Sequence, residues 1–495
     1  MALDPSITTT GTEGHPRRLS GHLGTGSVVF MVIAAAAPLT VIGGNVPLSV
    51  SLGNGAGAPV GFIIATTVLL LFAIGFVNMT PYVREAGAFF SYVTKGLGER
   101  LGMGGAVVAL IAYTAIQFGV YGFMGWAVDD TVQFYGGPEI PWPVYALVTI
   151  AIVAVLGYRH IELSAKVLGI ALVLEVGVVL LLDLFIFARG GADGLNVDSF
   201  TPSAITSGSL GVPVLFALTG FIGFEATAVF RDEARDPERT IPRATYLAVL
   251  IIGGFYALSC WALVLAAGTG NVVNVANATL AGEGNMLLDT TKEYLGTVGR
   301  DLVNVLLLSS LFACVLSFHN VIARYQYVLS RKGLLPEPLG RVHGKHHSPA
   351  VSSVVQTVTA LVLLSAFAVL GLDPLVGVFG SMAGVATVGM VILMLTTSLA
   401  VIAFFVRNRD LTRGRAWQTR IAPVLACVGL LASLWLVLTN FTLVTGGSAT
   451  VSTILALVPV VGLLVGAARG QRIRGVRATK LSARAEDEPV TTPVQ

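Results

Sequence analysis

The sequence predicts an all-α integral membrane protein with twelve transmembrane helices, and three observations carry that expectation. Only 12% of the residues are charged, against roughly 25% in soluble globular chains. Hydrophobic residues make up 54% of the 495, and the mean hydropathy is +0.81. These residues fall in runs of the length a helix needs to cross a hydrocarbon core of about 30 Å, which is about 20 residues. A soluble chain of this composition would expose a surface built of apolar side chains, so that class is excluded.

Taken in order, the candidate spans lie near 27–52, 59–80, 104–133, 142–158, 163–187, 209–230, 245–267, 299–328, 351–370, 375–406, 421–444 and 450–468. The third, eighth and tenth are long enough to tilt or to extend beyond the bilayer. Residues 1–20 form a polar tail without the apolar core of a secretory signal. The polar tail 469–495 is expected to lack fixed structure. Cys260, Cys314 and Cys427 all sit in apolar runs, which argues against a disulfide framework.

Orientation follows from the basic residues. With an even number of spans, both termini share a side with the loops after spans 2, 4, 6, 8 and 10. Of 30 lysines and arginines, all but Arg189, Lys292 and Arg300 fall on that side. A miscount by one would scramble this segregation. The expected location is therefore the cell membrane, multi-pass, with both termini cytoplasmic.

Two spans carry residues that break a helix. Span 1 contains Pro38, Gly43, Gly44, Asn45 and Pro47; span 6 contains Gly220 and Gly223, followed by Glu225. Irregular backbone at membrane depth is tolerated where protein or a water-filled cavity satisfies it. Interruptions at matching positions of two halves point to an inverted-repeat transporter with its site near the midplane. A half-helix N-terminus suits an anion and unwound carbonyls suit a cation, so an amino acid zwitterion fits both. Small residues also serve plain helix packing, and that reading stands beside the functional one.

The stretch Gly223-Phe224-Glu225, followed by Glu233-Ala234-Arg235-Asp236-Pro237 and Ile241-Pro242-Arg243-Ala244, resembles the signature of the amino acid–polyamine–organocation superfamily of permeases. Glu85 to Tyr92 after span 2 is similar to a second family stretch, and Arg324-Tyr325, Arg331 to Pro336 and Ser348-Pro349 to a third. The resemblance implies a leucine-transporter-like fold: a first inverted repeat over 21–190 (spans 1–5), a second over 205–410 (spans 6–10), and two further helices over 420–468. It implies alternating access and, in most members, proton-coupled uptake or exchange of amino acids or amines. The Gly-Ser-Gly triplet of many members is replaced here by Ala-Pro-Leu-Thr-Val-Ile-Gly-Gly. Where relatives carry an aromatic gate, this chain has Thr219 nearby, which implies a roomier pocket or a gate supplied by Phe216 or Phe221.

The candidate substrate-binding residues are Pro38, Leu39, Thr40, Val41, Gly43 and Gly44 in span 1, and Thr219, Gly220, Phe221 and Gly223 in span 6. Tyr113 and Gln117 in span 3, with Tyr121, share a helix face at spacing four and are added as pocket or interhelical hydrogen-bonding groups. The candidates for proton coupling are Glu175, Glu225 and His319. A charge at mid-bilayer costs roughly 2.5–3.5 kcal/mol on insertion scales, so Glu175 in span 5 is a functional candidate, with a protonated structural acid as the alternative. In some relatives this region of span 5 carries a lysine. Glu225 is read as a link between pocket and cytoplasmic gate or as a cap where the helix resumes. Histidine suits a proton switch, and His319 serves equally as a packing residue. Asp183 is expected to reach the outer interface, and Asp129 and Asp130 to be solvated.

No cofactor is expected. A metal is rejected as well, because His343, His346 and His347 cluster without a cysteine or acid at ligand spacing. No phosphate loop or nucleophile motif appears, so an enzyme has no anchor and transport would be secondary. Basic residues lie in short loops, which excludes a nucleic-acid partner. The expected partners are an amino acid or amine substrate, protons and the bilayer. A polyamine carrier, an exchanger and a non-transporting membrane sensor remain the alternatives.

Overall fold

The computed structural model describes residues 23–83, 89–159, 165–229, 234–343, 348–412 and 414–487. Among these residues the fold is helical, and the one β-type pairing is an isolated bridge between Leu23 and Ala234. Nine helical runs among the described residues are long and apolar enough to cross a membrane. The Trp142–Tyr158 helix is shorter, and the sixth predicted span is split into Gly211–Thr219 and Ala226–Val229.

The Glu99–Phe134 helix is the axis of the bundle. Its 36 residues extend about 54 Å at 1.5 Å per residue, well beyond one bilayer core. Of its most apolar window 78% is buried, against 28% for Ala449–Gln471, so the first runs through the centre and the second faces lipid. The Ala165–Arg189 helix shows how the sequence sorts its faces. Val167, Ile170, Val173, Leu174, Leu181 and Leu184 are exposed, while Leu172, Glu175, Val179, Leu182, Asp183 and Ile186 are buried. The buried set repeats every three to four residues, so both acids of this helix turn inward.

Several expectations change. The eighth helix runs Met286–Arg331 and begins before position 299, because Gly296 at φ +78° joins an outer segment to the span in a conformation that disfavours other residues. Helices Phe89–Leu97 and Val272–Ala281 fall in predicted loops; both are too short for a search at membrane length. The last helix continues to Asp487, where no fixed structure was expected; alanine, lysine, arginine and glutamate in that stretch are good helix formers. Asp183 does not reach the interface: it is 2% exposed and accepts a 2.7 Å hydrogen bond from the Ser259 hydroxyl. Asp130 is bonded by the Asn285 amide at 3.0 Å rather than left to solvent. Arg300 is buried against the Phe134 ring, 3.8 Å from Asp301.

Candidate functional site

The interruption in span 1 lies at Ala36 and Ala37. Ala37 has φ +46° and is the one non-glycine residue with positive φ among the described residues. Proline disfavours helical geometry in the residue before it and is well suited to a first helical position, so Pro38 sets both the break and the restart. Gly43 and Gly44 are not unwound. They sit in a π-helical turn, Val41–Asn45, four residues before Pro47, whose missing N–H removes the regular bond to Gly43. A Cβ on Gly44 would lie 2.6 Å from the Phe123 ring, so that glycine is there for packing.

The restarted helix does not offer its first N–H groups to solvent. Thr40 and Val41 donate to the Ala37 carbonyl at 3.0 and 3.4 Å, and the Glu175 carboxylate faces the Leu39 backbone amide. Ser310 donates to the same carboxylate at 3.0 Å. Glu175, 4% exposed, therefore caps the break and ties it to the fifth and eighth helices.

In span 6, Gly211–Thr219 stops and Ala226–Val229 begins after a run of turns. Gly223 takes φ +109° there. The Glu225 carboxylate accepts from the Gly223 N–H at 3.0 Å and from the Tyr113 hydroxyl at 2.5 Å. It thus folds back onto the break and links it to the central helix. Tyr256 joins the two breaks: its hydroxyl lies 3.1 Å from the Ala36 carbonyl oxygen and 3.4 Å from that of Gly220.

Between the breaks lies a small cavity of about 30 Å³. Span 1 contributes Ala36, Ala37, Thr40, Val41 and Asn45, and span 6 contributes Thr219, Gly220 and Ile222. Ile116 and Val120 face it from the central helix, Cys314 and Phe318 from the eighth, and Phe379 from the tenth. Of the sequence-derived set, Thr40, Val41, Thr219 and Gly220 line it. Pro38, Leu39, Gly43, Gly44, Phe221, Gly223, Tyr113 and Gln117 do not. Gln117 belongs to a buried chain of amides: it accepts from Gln356 at 2.7 Å, and Gln356 accepts from Gln326 at 3.2 Å. Phe216 and Phe221 are absent from the lining, and Phe318 and Phe379 supply its aromatic walls. Asn45 stood out in sequence as a lone amide in an apolar run, whereas the aliphatic members carried no signal of their own.

The three proton-coupling candidates are not brought together. His319 is bonded to Ser353 at 2.8 Å and packs against Gly157, away from both acids. Glu85–Ala88, Asp232, Glu233, His346, His347 and the 1–20 tail lie outside the described residues. Among the described residues no group of three histidine, cysteine or acidic side chains is spaced to hold a metal.

The chain is similar to known transport proteins. The chain is 23% identical over 400 residues to the branched-chain amino acid permease BcaP of Bacillus subtilis (strain 168), covering 78% of this chain and 81% of that protein. It is 21% identical over 345 residues to the low-affinity putrescine importer PlaP of Escherichia coli (strain K12), covering 68% and 73%. It is 20% identical over 289 residues to the serine/threonine exchanger SteT of Bacillus subtilis (strain 168), covering 57% and 62%. The family model described as amino acid permease matches residues 23–465, and with apolar helices along that whole stretch the chain belongs to the amino acid permease family and is a multi-pass membrane transporter rather than an enzyme.

Proposed function

We propose that the chain is a secondary active permease that carries amino acids across the cell membrane, coupled to protons. The observation that carries this reading is the cavity closed by two interrupted helices and bridged by Tyr256. The twelve-span reading, with two five-helix inverted repeats and cytoplasmic termini, is supported by breaks five spans apart and by the segregation of lysine and arginine. A branched-chain permease and a serine/threonine exchanger among the relatives favour an amino acid; the putrescine importer keeps an amine as the second reading.

In this reading substrate enters the cavity from one side, and the bundle rocks about the breaks to release it on the other. Glu175 is the proton carrier. Its carboxylate holds the Ser310 hydroxyl and faces the Leu39 backbone amide. A protonated carboxyl is a weaker acceptor than a carboxylate, so protonation loosens span 1 from the fifth and eighth helices. Glu225 and Tyr113 pass movement of the sixth span to the central helix. The test is uptake of amino acids into proteoliposomes with and without an imposed pH gradient. Saturable uptake raised by an inward proton gradient is expected. Saturable uptake indifferent to the gradient removes proton coupling, and no uptake of any amino acid or amine removes the transport reading.

A further inference from the structure

Among the described residues, no charged side chain lines the central cavity. The carboxylates at the two breaks are already engaged: Glu175 accepts from Ser310, and Glu225 accepts from Tyr113 and Gly223. Burying a charge without a partner is far more costly than burying a neutral group. The cavity therefore suits a molecule of no net charge, carrying one ammonium and one carboxylate.

Two polar atoms in the wall have no hydrogen-bond partner. They are Thr40 Oγ1 and Asn45 Oδ1, on residues 6% and 2% exposed. Buried polar groups are normally satisfied, so such a pair at one cavity needs an explanation. The other end of Asn45 is fixed, because its Nδ2 donates to the Phe216 carbonyl at 2.8 Å. That bond leaves Oδ1 as an oriented acceptor. Thr40 Oγ1 can donate or accept. By contrast the Thr219 hydroxyl is already engaged with Thr387 at 2.6 Å and with the Leu215 carbonyl at 2.9 Å. The rest of the wall is Val41, Ile116, Val120, Ile222, Phe318 and Phe379. In this conformation the room is about 30 Å³, far below the roughly 300 Å³ at which ligand pockets begin, so the two breaks must part to admit a substrate.

We propose that this cavity selects a neutral α-amino acid with an apolar side chain and rejects diamines and charged amino acids, the Asn45 oxygen accepting from the substrate ammonium and the Thr40 hydroxyl donating to its carboxylate. The inference rests on the permease reading and narrows it. It also separates this chain from the putrescine importer to which it is similar.

The experiment is a competition assay on the purified full chain in proteoliposomes. Uptake of radiolabelled leucine is measured with leucine, lysine, glutamate or putrescine added in hundredfold excess. Unlabelled leucine is expected to abolish uptake, and the other three to change it less than twofold. Putrescine, lysine or glutamate competing as well as leucine overturns the selectivity while leaving the permease reading intact. Failure to take up or bind any of the four overturns both. Thr40→Asp breaks no existing side-chain bond and places an acid in the cavity. It is expected to admit lysine or putrescine as a competitor at least tenfold better than the unaltered chain. Thr40→Asp that remains indifferent to both cations counts against a cavity at this position.

Discussion

Tyr256 holds Ala36. Its hydroxyl sits 3.1 Å from the Ala36 carbonyl oxygen and 3.4 Å from that of Gly220, so one residue of the seventh helix spans both interruptions. A phenol has one proton to donate, and it can satisfy only one of these carbonyls at a time. The two breaks are therefore joined by a bond that can pass from one to the other as they move.

Tyr256→Phe keeps the ring, which packs edge-on against Phe62 and Phe221, and removes the bond alone. A buried acceptor left unsatisfied costs about 1–3 kcal/mol. At 1.36 kcal/mol per tenfold, kcat/KM should fall by about 5- to 150-fold. Tyr256 does not line the cavity, so the fall should appear mainly in the maximal rate. Uptake kinetics decide it: a loss confined to KM would mean that the hydroxyl touches substrate and does not position the breaks.

Glu175 and Asp183 form an internal comparison. Both lie on the buried face of the fifth helix and both accept from a serine hydroxyl, but only Glu175 reaches the interrupted helix. Glu175→Gln retains an oxygen for Leu39 and Ser310 while it cannot ionise. The expected outcome is loss of accumulation against an imposed pH gradient with substrate exchange retained. Asp183→Asn should leave both in place. Gradient-driven uptake that survives in the Glu175 variant and fails in the Asp183 variant would transfer the role to Asp183.

How much of this was legible in the sequence follows from what each residue does. The membrane-length apolar helices and the two interruptions were readable because proline, glycine and charge change the cost of a helix in lipid, whatever the tertiary packing. Glu175 was readable as an inward acid for the same reason, whereas Asp183 was expected at the outer interface and is buried instead. The cavity wall was not. Ile116, Val120, Ile222 and Phe379 are apolar residues in apolar helices, and helix rotation alone decides which of them face the cavity. Tyr113 and Gln117 illustrate the point: they flank Ile116 in sequence, yet one serves Glu225 and the other an amide chain.

Gly44 was legible as special but not as to purpose, and a substitution separates the two meanings. An added Cβ meets the Phe123 ring at 2.6 Å, while at Gly43 it meets the flexible end of Leu307 at 3.3 Å. Overpacking typically costs about 1–3 kcal/mol. Gly44→Ala should therefore lower the thermal midpoint clearly more than Gly43→Ala, with KM unchanged in whatever protein folds. A raised KM at unaltered stability would return Gly44 to the substrate site.

Cys314 offers a direct view of the cavity. It is a lining residue, whereas Cys260 and Cys427 are buried elsewhere, Cys260 completely. A small thiol-reactive methanethiosulfonate should therefore modify one native cysteine first. Modification should block uptake, because the adduct fills space that substrate needs. A saturating transported amino acid should slow the modification several-fold, since substrate and reagent compete for one volume. The assay is mass spectrometry of the intact chain with Cys260→Ala and Cys427→Ala as background. Labelling of Cys314 at the same rate with and without saturating substrate would mean that the transported molecule binds somewhere other than between the two interrupted helices.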